Sequence, residues 1–186
     1  ESTRFDLNAF KGLGASYAIA CLLGERLGLK QLNFSEVTSV QARKKIGNLV
    51  FATATDGNHG RSVAWGAQQF GCNCEIYIHR NVSIGREKAI AKYGAEVNRI
   101  EGNYDDSVRI AAEVAEENSY YVVSDTSYEG YTDIPKDVMQ GYTVMVDETM
   151  KQMKETPTHV FLQGGVGGFP AATVSFLVES LDCPPI

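Results

Sequence analysis

A chain of 186 residues that is 44% hydrophobic and 22% charged belongs with globular proteins, and at this size folding buries about 70% of the unfolded surface. A net charge of -6 without any run of lysines or arginines argues against a nucleic-acid surface, and the acidity speaks only to solubility. No apolar run approaches the ~18 residues of a membrane span and nothing resembles a signal peptide, so a cytoplasmic protein that engages no membrane is expected.

Apolar periodicity predicts a helix from Lys11 to Leu27 that stops at Gly28, and a second, more polar helix over residues 35–45, opened by Ser35. A β-branched strand over 49–55 runs into a helix with Ala64, Ala67 and Phe70 on one face, ending at Gly71. Next come a strand over 74–79, a helix over 83–94 and a strand over 95–100. A helix over 104–118, with Val108, Ala111, Ala112 and Ala115 inward, precedes a strand over 120–125. A long helix over 134–153, a strand over 158–163 and a glycine-rich turn into a last helix complete the chain. Strands alternating with helices of this length predict βαβ units and a parallel sheet, with ligands at the carboxyl ends of the strands. The abrupt ends, without an initiating methionine and just after a helix, predict a part of something longer.

Cys21, Cys72, Cys74 and Cys183 contain no CxxC pair, and with three histidines in the chain they suit free thiols in a reducing compartment better than a zinc site. No metal is expected.

Lys11 sits among Gly12, Gly14, Ala15, Ala18 and Ala20, with no carboxylate in the turn that follows it. Small neighbours allow another backbone or a ligand to approach closely. A lysine desolvated there has its amine form favoured and is a Schiff-base candidate, whereas a solvated stem covering apolar neighbours is the plainer alternative.

Two loops stand at strand-to-helix junctions. In QGGVGGF, residues 163–169, four glycines let backbone N–H groups converge at a helix N-terminus, which makes an anion cradle or simply a tight turn. It is neither the GxxxxGK[ST] phosphate loop nor GxGxxG. In TATDGNHGRSVAW, residues 53–65, Thr53, Thr55, Asn58 and His59 bring polar groups, and Gly57 and Gly60 free the backbone around them. Capping by Asp56 or Asn58 explains one of these residues; a loop surrounding a substrate carboxylate explains all of them. An amine, a phosphate cradle and an asparagine loop on a parallel α/β scaffold meet the needs of pyridoxal 5'-phosphate.

The segments NAFKGLGASYA, ATDGNHGRSVAW with its continuation to KYGAEV, and LQGGVGG resemble the lysine, asparagine-loop and phosphate-loop motifs of the fold type II pyridoxal phosphate enzymes, the group of threonine dehydratase and tryptophan synthase β. RFDLNAFKGLGASYAIA, NYDDSVRIAAEVAEEN, DTSYEGYTDIPKDVMQGY and PTHVFLQGGVGGF extend the resemblance, which is strongest to the diaminopropionate ammonia-lyase family. Most of the group carries Ser-Gly-Asn-His in the loop; here Asp56 precedes the glycine.

The resemblance implies a two-lobed open parallel-sheet α/β fold truncated at both ends, with a small lobe over 50–128 and a larger cofactor lobe from 1–49 and 129–186. It implies a homodimeric lyase acting on a small amino acid. Lys11 is implied as the Schiff-base lysine and one base, Asn58 as partner of the cofactor's ring oxygen, and Gly164, Gly165, Val166, Gly167 and Gly168 as main-chain phosphate binders. Thr55, Asp56, Gly57, Asn58 and His59 are implied as substrate contacts. Asp56 is the candidate second base, on the face of Cα that Lys11 does not reach, and a partner for the β-ammonium of 2,3-diaminopropionate. Asp125 is a further candidate catalytic residue, one that binds the substrate amino group or assists the second base, with turn capping as the alternative, and Tyr104 and Tyr128 are pocket candidates with a core role as theirs. The rival readings are a serine or threonine dehydratase of the same group and a non-catalytic α/β module that binds a phosphate ligand.

Overall fold

In the computed structural model, which describes residues 3–182, a short 3-10 turn at Arg4–Asp6 leads into helix α1, Lys11–Leu27. Gly28 takes the left-handed conformation (φ 69°) that closes α1, as its place after the last apolar position predicts. The predicted helix over 35–45 is two helices, α2 (Phe34–Val37) and α3 (Val40–Ile46). Asn33, and not Ser35, caps the first, and the hydroxyl of Ser39 accepts from Ala42 N–H and opens the second.

Strand β1 (Val50–Ala54), helix α4 (Asn58–Phe70), strand β2 (Asn73–His79), helix α5 (Ile84–Ala91), strand β3 (Glu96–Ile100), helix α6 (Tyr104–Asn118) and strand β4 (Tyr121–Val122) follow. The four strands form one parallel sheet in the order β3-β2-β1-β4, so the chain order reverses between β1 and β4. Phe51, Ile76 and Ile78 are fully buried in the sheet, and Val63, Ala64 and Ala67 of α4 pack in the same core as Ile19 and Leu23 of α1. Helix α6 turns Ser107, Ala111 and Ala115 inward, at steps of four. Val108 and Ala112, expected inside, face solvent because the buried stripe is set by contact with Ala52 and Tyr77. Ser107 can join that stripe because its hydroxyl donates to the carbonyl oxygen of Asn103.

The strand expected over 120–125 ends at Val122, apart from one further bond from Val123 N–H to Ala52 O. Beyond it the Tyr131 hydroxyl takes the place of a neighbouring strand, donating to Val122 O and accepting from Ser124 N–H, both at 2.9 Å. Helix α7 (Asp133–Gln152) then crosses α1, and helix α8 (Gly168–Ser180) packs on α7. The strand expected over 158–163 is absent. A strand exists only when paired, and no neighbour is ladder-bonded to this segment among the described residues; Phe161 is 94% exposed. No helix among the described residues is long and apolar enough to cross a membrane.

Candidate active site

Lys11 opens α1 at the point where the carboxyl end of β1, the segment after β4 and the glycine loop before α8 converge. Its closest charged partner comes from 114 residues away, since Nζ is ion-paired with Oδ2 of Asp125. The expectation of an amine without a nearby carboxylate therefore holds along the sequence and fails in space. Gly14, one of the small residues taken as a sign of close approach, is approached by helix α7: a Cβ there would lie 2.6 Å from Val138 O.

Two adjoining cavities of about 240 and 250 Å³ share Lys11, Asp125, Gly165 and Val166. The first is walled by Phe10, Tyr142 and the loop 165–170; the second is walled by 54–59 and Tyr104. The structure thus gathers Lys11, Thr55, Asp56, Gly57, Asn58, His59, Asp125, Gly165, Val166 and, on the first side, Gly167 and Gly168 around one cleft. Gly164 adjoins it in sequence. Thr53 is buried in β1 outside the cleft, and Tyr128 stacks on Tyr131 at 4.9 Å, also outside it.

In the asparagine loop neither Asp56 nor Asn58 caps α4. The Thr55 hydroxyl oxygen does so, accepting from the N–H groups of Gly57 and Gly60 at 3.0 Å each. Gly60 is required there, because a Cβ would lie 3.0 Å from the methyl of Ile76 and closer still to Thr55. Asn58 is exposed and lines the second cavity, with its Oδ1 accepting from Arg61 Nη2 at 3.2 Å, which leaves the amide N–H groups available to donate.

His59 is buried behind Lys11 and Asp125. Its Nε2 donates to Val123 O at 2.8 Å, so Nδ1 is the bare nitrogen, buried without a hydrogen-bond partner and 3.6 Å from Oδ2 of Asp125. Burial pushes the imidazole below its ordinary range, consistent with a neutral ring. For Asp125 burial pushes the carboxyl up, but His59 in its protonated form and the charge and hydrogen bond of Lys11 outweigh it and leave it below its ordinary value. Tyr104, at the start of α6, has its hydroxyl held protonated by burial and by the carboxylates of Asp125 and Asp56.

The glycine loop is open where an anion would sit. A Cβ at Gly164, Gly165 or Gly167 would meet nothing within 4 Å, and Gly167 has φ 87°, the left-handed value that turns the chain into α8. In the first turn of α8 the N–H groups of Gly168 and Phe169, which line this space, have no intrahelical acceptor, while Pro170 carries none. Loop, lysine and exposed amide therefore fit a phosphorylated aldehyde such as pyridoxal 5'-phosphate. Sequence reasoning missed Tyr142, a buried tyrosine of α7 that forms the back wall, because an aromatic on a helix face carries no sign of a cavity. It also missed His79, whose Nε2 lies 2.9 Å from Asp56 Oδ1; its sign was a polar residue at the carboxyl end of a parallel strand.

The diaminopropionate ammonia-lyase of Escherichia coli (strain K12) is 47% identical over 184 residues, covering 96% of this chain and 45% of its own length. The diaminopropionate ammonia-lyase of Salmonella typhimurium is 42% identical over 188 residues, covering 98% of this chain and 46% of its own. The crystal structure of the Escherichia coli enzyme in complex with D-serine superposes with a TM-score of 0.90 at 46% identity, over 96% of this chain and 46% of that one. The chain thus spans less than half the length of these relatives. The sequence pattern of the family described as "Pyridoxal-phosphate dependent enzyme" matches residues 1–186, and the chain belongs to that family.

Proposed function

We propose that the protein carries out the α,β-elimination of 2,3-diaminopropionate, which with one water gives pyruvate and two ammonia. The observation that carries this reading is the Lys11–Asp125 ion pair in a cleft between an open glycine loop and a loop bearing Asp56. The similarity to diaminopropionate ammonia-lyases over nearly the whole chain supports it.

Pyridoxal phosphate, when bound, supplies the electron sink that makes a Cα proton removable. The main chain of Gly164, Gly165, Val166, Gly167 and Gly168 would hold its phosphate, the Asn58 amide its ring oxygen, and Lys11 its aldehyde carbon. The backbone of the loop from Thr55 to His59 receives the substrate carboxylate at the N-terminus of α4. Lys11 accepts the Cα proton on its own face, and Asp56 accepts it on the other, so that both enantiomers react. Asp56 also pairs with the β-ammonium, the leaving group that serine lacks. Asp125, charged and partnered with Lys11, receives the amino group of the substrate as Lys11 gives it up. On the same reading residues 50–128, which hold all four strands, are the small lobe, and 1–49 with 129–186 belong to the cofactor lobe.

Pyruvate release from diaminopropionate, serine and threonine, measured in the intact protein with pyridoxal phosphate, tests the proposal. Turnover of diaminopropionate well above the two hydroxy amino acids is expected, and the reverse order means a dehydratase. Lys11→Ala is expected to lose both turnover and the visible absorption of the bound cofactor. A variant that keeps both removes Lys11 from its role.

A further inference from the structure

The Asp56 side chain is 62% exposed at the mouth of the cleft, and an exposed carboxylate ordinarily samples many orientations. Here it is held from two sides. His79, the last residue of β2, brings Nε2 within 2.9 Å of Oδ1, and Arg86 of α5 donates from Nη1 to the main-chain oxygen of Asp56 at 3.2 Å. The stem of Arg86 lies against Gly57, closing the loop from that side.

The other nitrogen of His79 fixes its tautomer. The N–H of Asn81 donates to Nδ1 at 3.3 Å, so the ring proton of the neutral imidazole sits on Nε2 and is donated to Asp56. The backbone behind the ring is fixed as well, because Nη1 of Arg99 gathers the carbonyl oxygens of His79, Arg80 and Val82 at 3.4, 2.8 and 2.9 Å. Its Nη2 is paired with Glu87. The His79 side chain is only 17% exposed, so a walled-in ring on a rigid strand end carries a carboxylate that reaches solvent.

We propose that His79 is the positioning residue for Asp56: it occupies Oδ1 and presents Oδ2 to the face of Cα opposite Lys11. This rests on the reading of Asp56 as the second base. Proton transfer needs the acceptor within hydrogen-bond reach and aligned, and a misplacement of about 1 Å can cost on the order of 10²-fold in rate. The ring alone would serve equally well to close the β2–α5 turn, but that role needs only Nδ1. The bond from Nε2 to Asp56 adds nothing to the turn, and its consequence falls on the carboxylate.

The test begins with pyruvate formation from each pure enantiomer of 2,3-diaminopropionate in the intact, cofactor-loaded protein. With Lys11 serving the L form, Asp56→Asn is expected to lower turnover of both enantiomers through the lost β-ammonium contact and that of the D form by a further ~10²-fold; a loss no larger for D than for L overturns the second base and the positioning role together. Given that selectivity, His79→Leu should lower the D-to-L ratio of kcat by roughly 10-fold with a smaller change in KM. His79→Gln, whose amide reaches about as far as Nε2, should recover most of it. Adding His79→Leu to Asp56→Asn should lower D turnover no further, since the two act as one unit. A selective effect of Asp56→Asn with no D-selective loss in His79→Leu, or with no recovery in His79→Gln, overturns the proposal while leaving Asp56 as the base. Nitrogen NMR of the imidazole in cofactor-free protein gives a readout independent of turnover. The Nε2–H tautomer with a protected ring proton is expected in the parent protein and its loss of protection in Asp56→Ala; a ring signal indifferent to Asp56 overturns the proposal.

Discussion

Lys11 and Asp125, separated by 114 residues in sequence, form an ion pair that ties the first turn of α1 to the segment leaving β4. The Lys11 side chain is 27% exposed, so if Asp125 loses its charge the ammonium can turn toward water. Asp125→Asn is therefore expected to cost about 1–2 kcal/mol in urea unfolding of the cofactor-free protein, less than the ~3–5 kcal/mol of a fully buried pair that loses one partner. Turnover should fall for both enantiomers alike, because an amino-group partner is indifferent to which face of Cα is attacked. A loss confined to one enantiomer would make Asp125 a stereospecific base.

The sequence carries the local half of this site and not the long-range half. Lys11, Asn58 and the glycine loop are legible because glycine and small-residue patterns sit at strand–helix junctions, and Gly28 and Asn103 mark helix ends by local chemistry. The capping box of Asn103 and Asp106 places the start of α6 at Tyr104, as the sequence predicts. The partner of Lys11 is not legible, because nothing in the pattern around Asp125 says which of many residues will face it. The segment 158–163 misleads for a related reason: its apolar content gives a strand tendency, but pairing depends on a neighbour that composition does not reveal. Ser39 shows the opposite fault, a local cap signal inside a run that reads as one continuous helix.

Gly165 separates ligand binding from folding. A side chain there meets no atom of the protein within 4 Å, so Gly165→Val should leave the thermal midpoint of the cofactor-free protein nearly unchanged. It would stand in the space proposed for the phosphate. Losing one charge-assisted hydrogen bond costs about 1.5–3 kcal/mol, or roughly 10- to 150-fold in Kd for pyridoxal phosphate. Unchanged affinity would return the loop to the role of a tight turn. Gly167→Val, by contrast, should lower both affinity and stability, because φ 87° strains any branched residue.

Helices α1 and α7 cross at glycines, and this crossing sets where Lys11 stands. A Cβ on Gly141 would lie 2.6 Å from Leu13 O and 2.7 Å from the Gly14 Cα, contacts with main chain that no rotamer change relieves. Gly141→Ala is expected to destabilise the cofactor-free protein by about 1–3 kcal/mol. Because the helices must separate, Lys11 moves with α1, and affinity for pyridoxal phosphate should fall in the same variant. Calorimetry and a cofactor titration on one preparation check both, and a loss of stability without any loss of affinity would show that Lys11 is placed by other contacts.

The buried ring of His59 gives the fold a defined response to acid. Burial lowers its pKa from the ordinary 6.5, so between the folded and unfolded values the unfolded chain binds the extra proton. Stability from this group is therefore present above about pH 6.5 and is lost as pH falls below it. Asp125 acts with the same sign at lower pH: its carboxyl is held below the ordinary 3.8, and its contribution disappears as pH falls through that region. Unfolding measured from pH 7.5 to 5.5 isolates the histidine, since the carboxylate stays charged over this range. His59→Gln keeps a donor for Val123 O without a titrating ring, so its stability should decline less steeply with acid than that of the parent, although it starts lower. The other histidines contribute equally to both curves and cancel in the comparison. Parallel curves would mean that His59 takes up its proton in the folded state, with Nδ1 then donating to Asp125 across the present 3.6 Å gap.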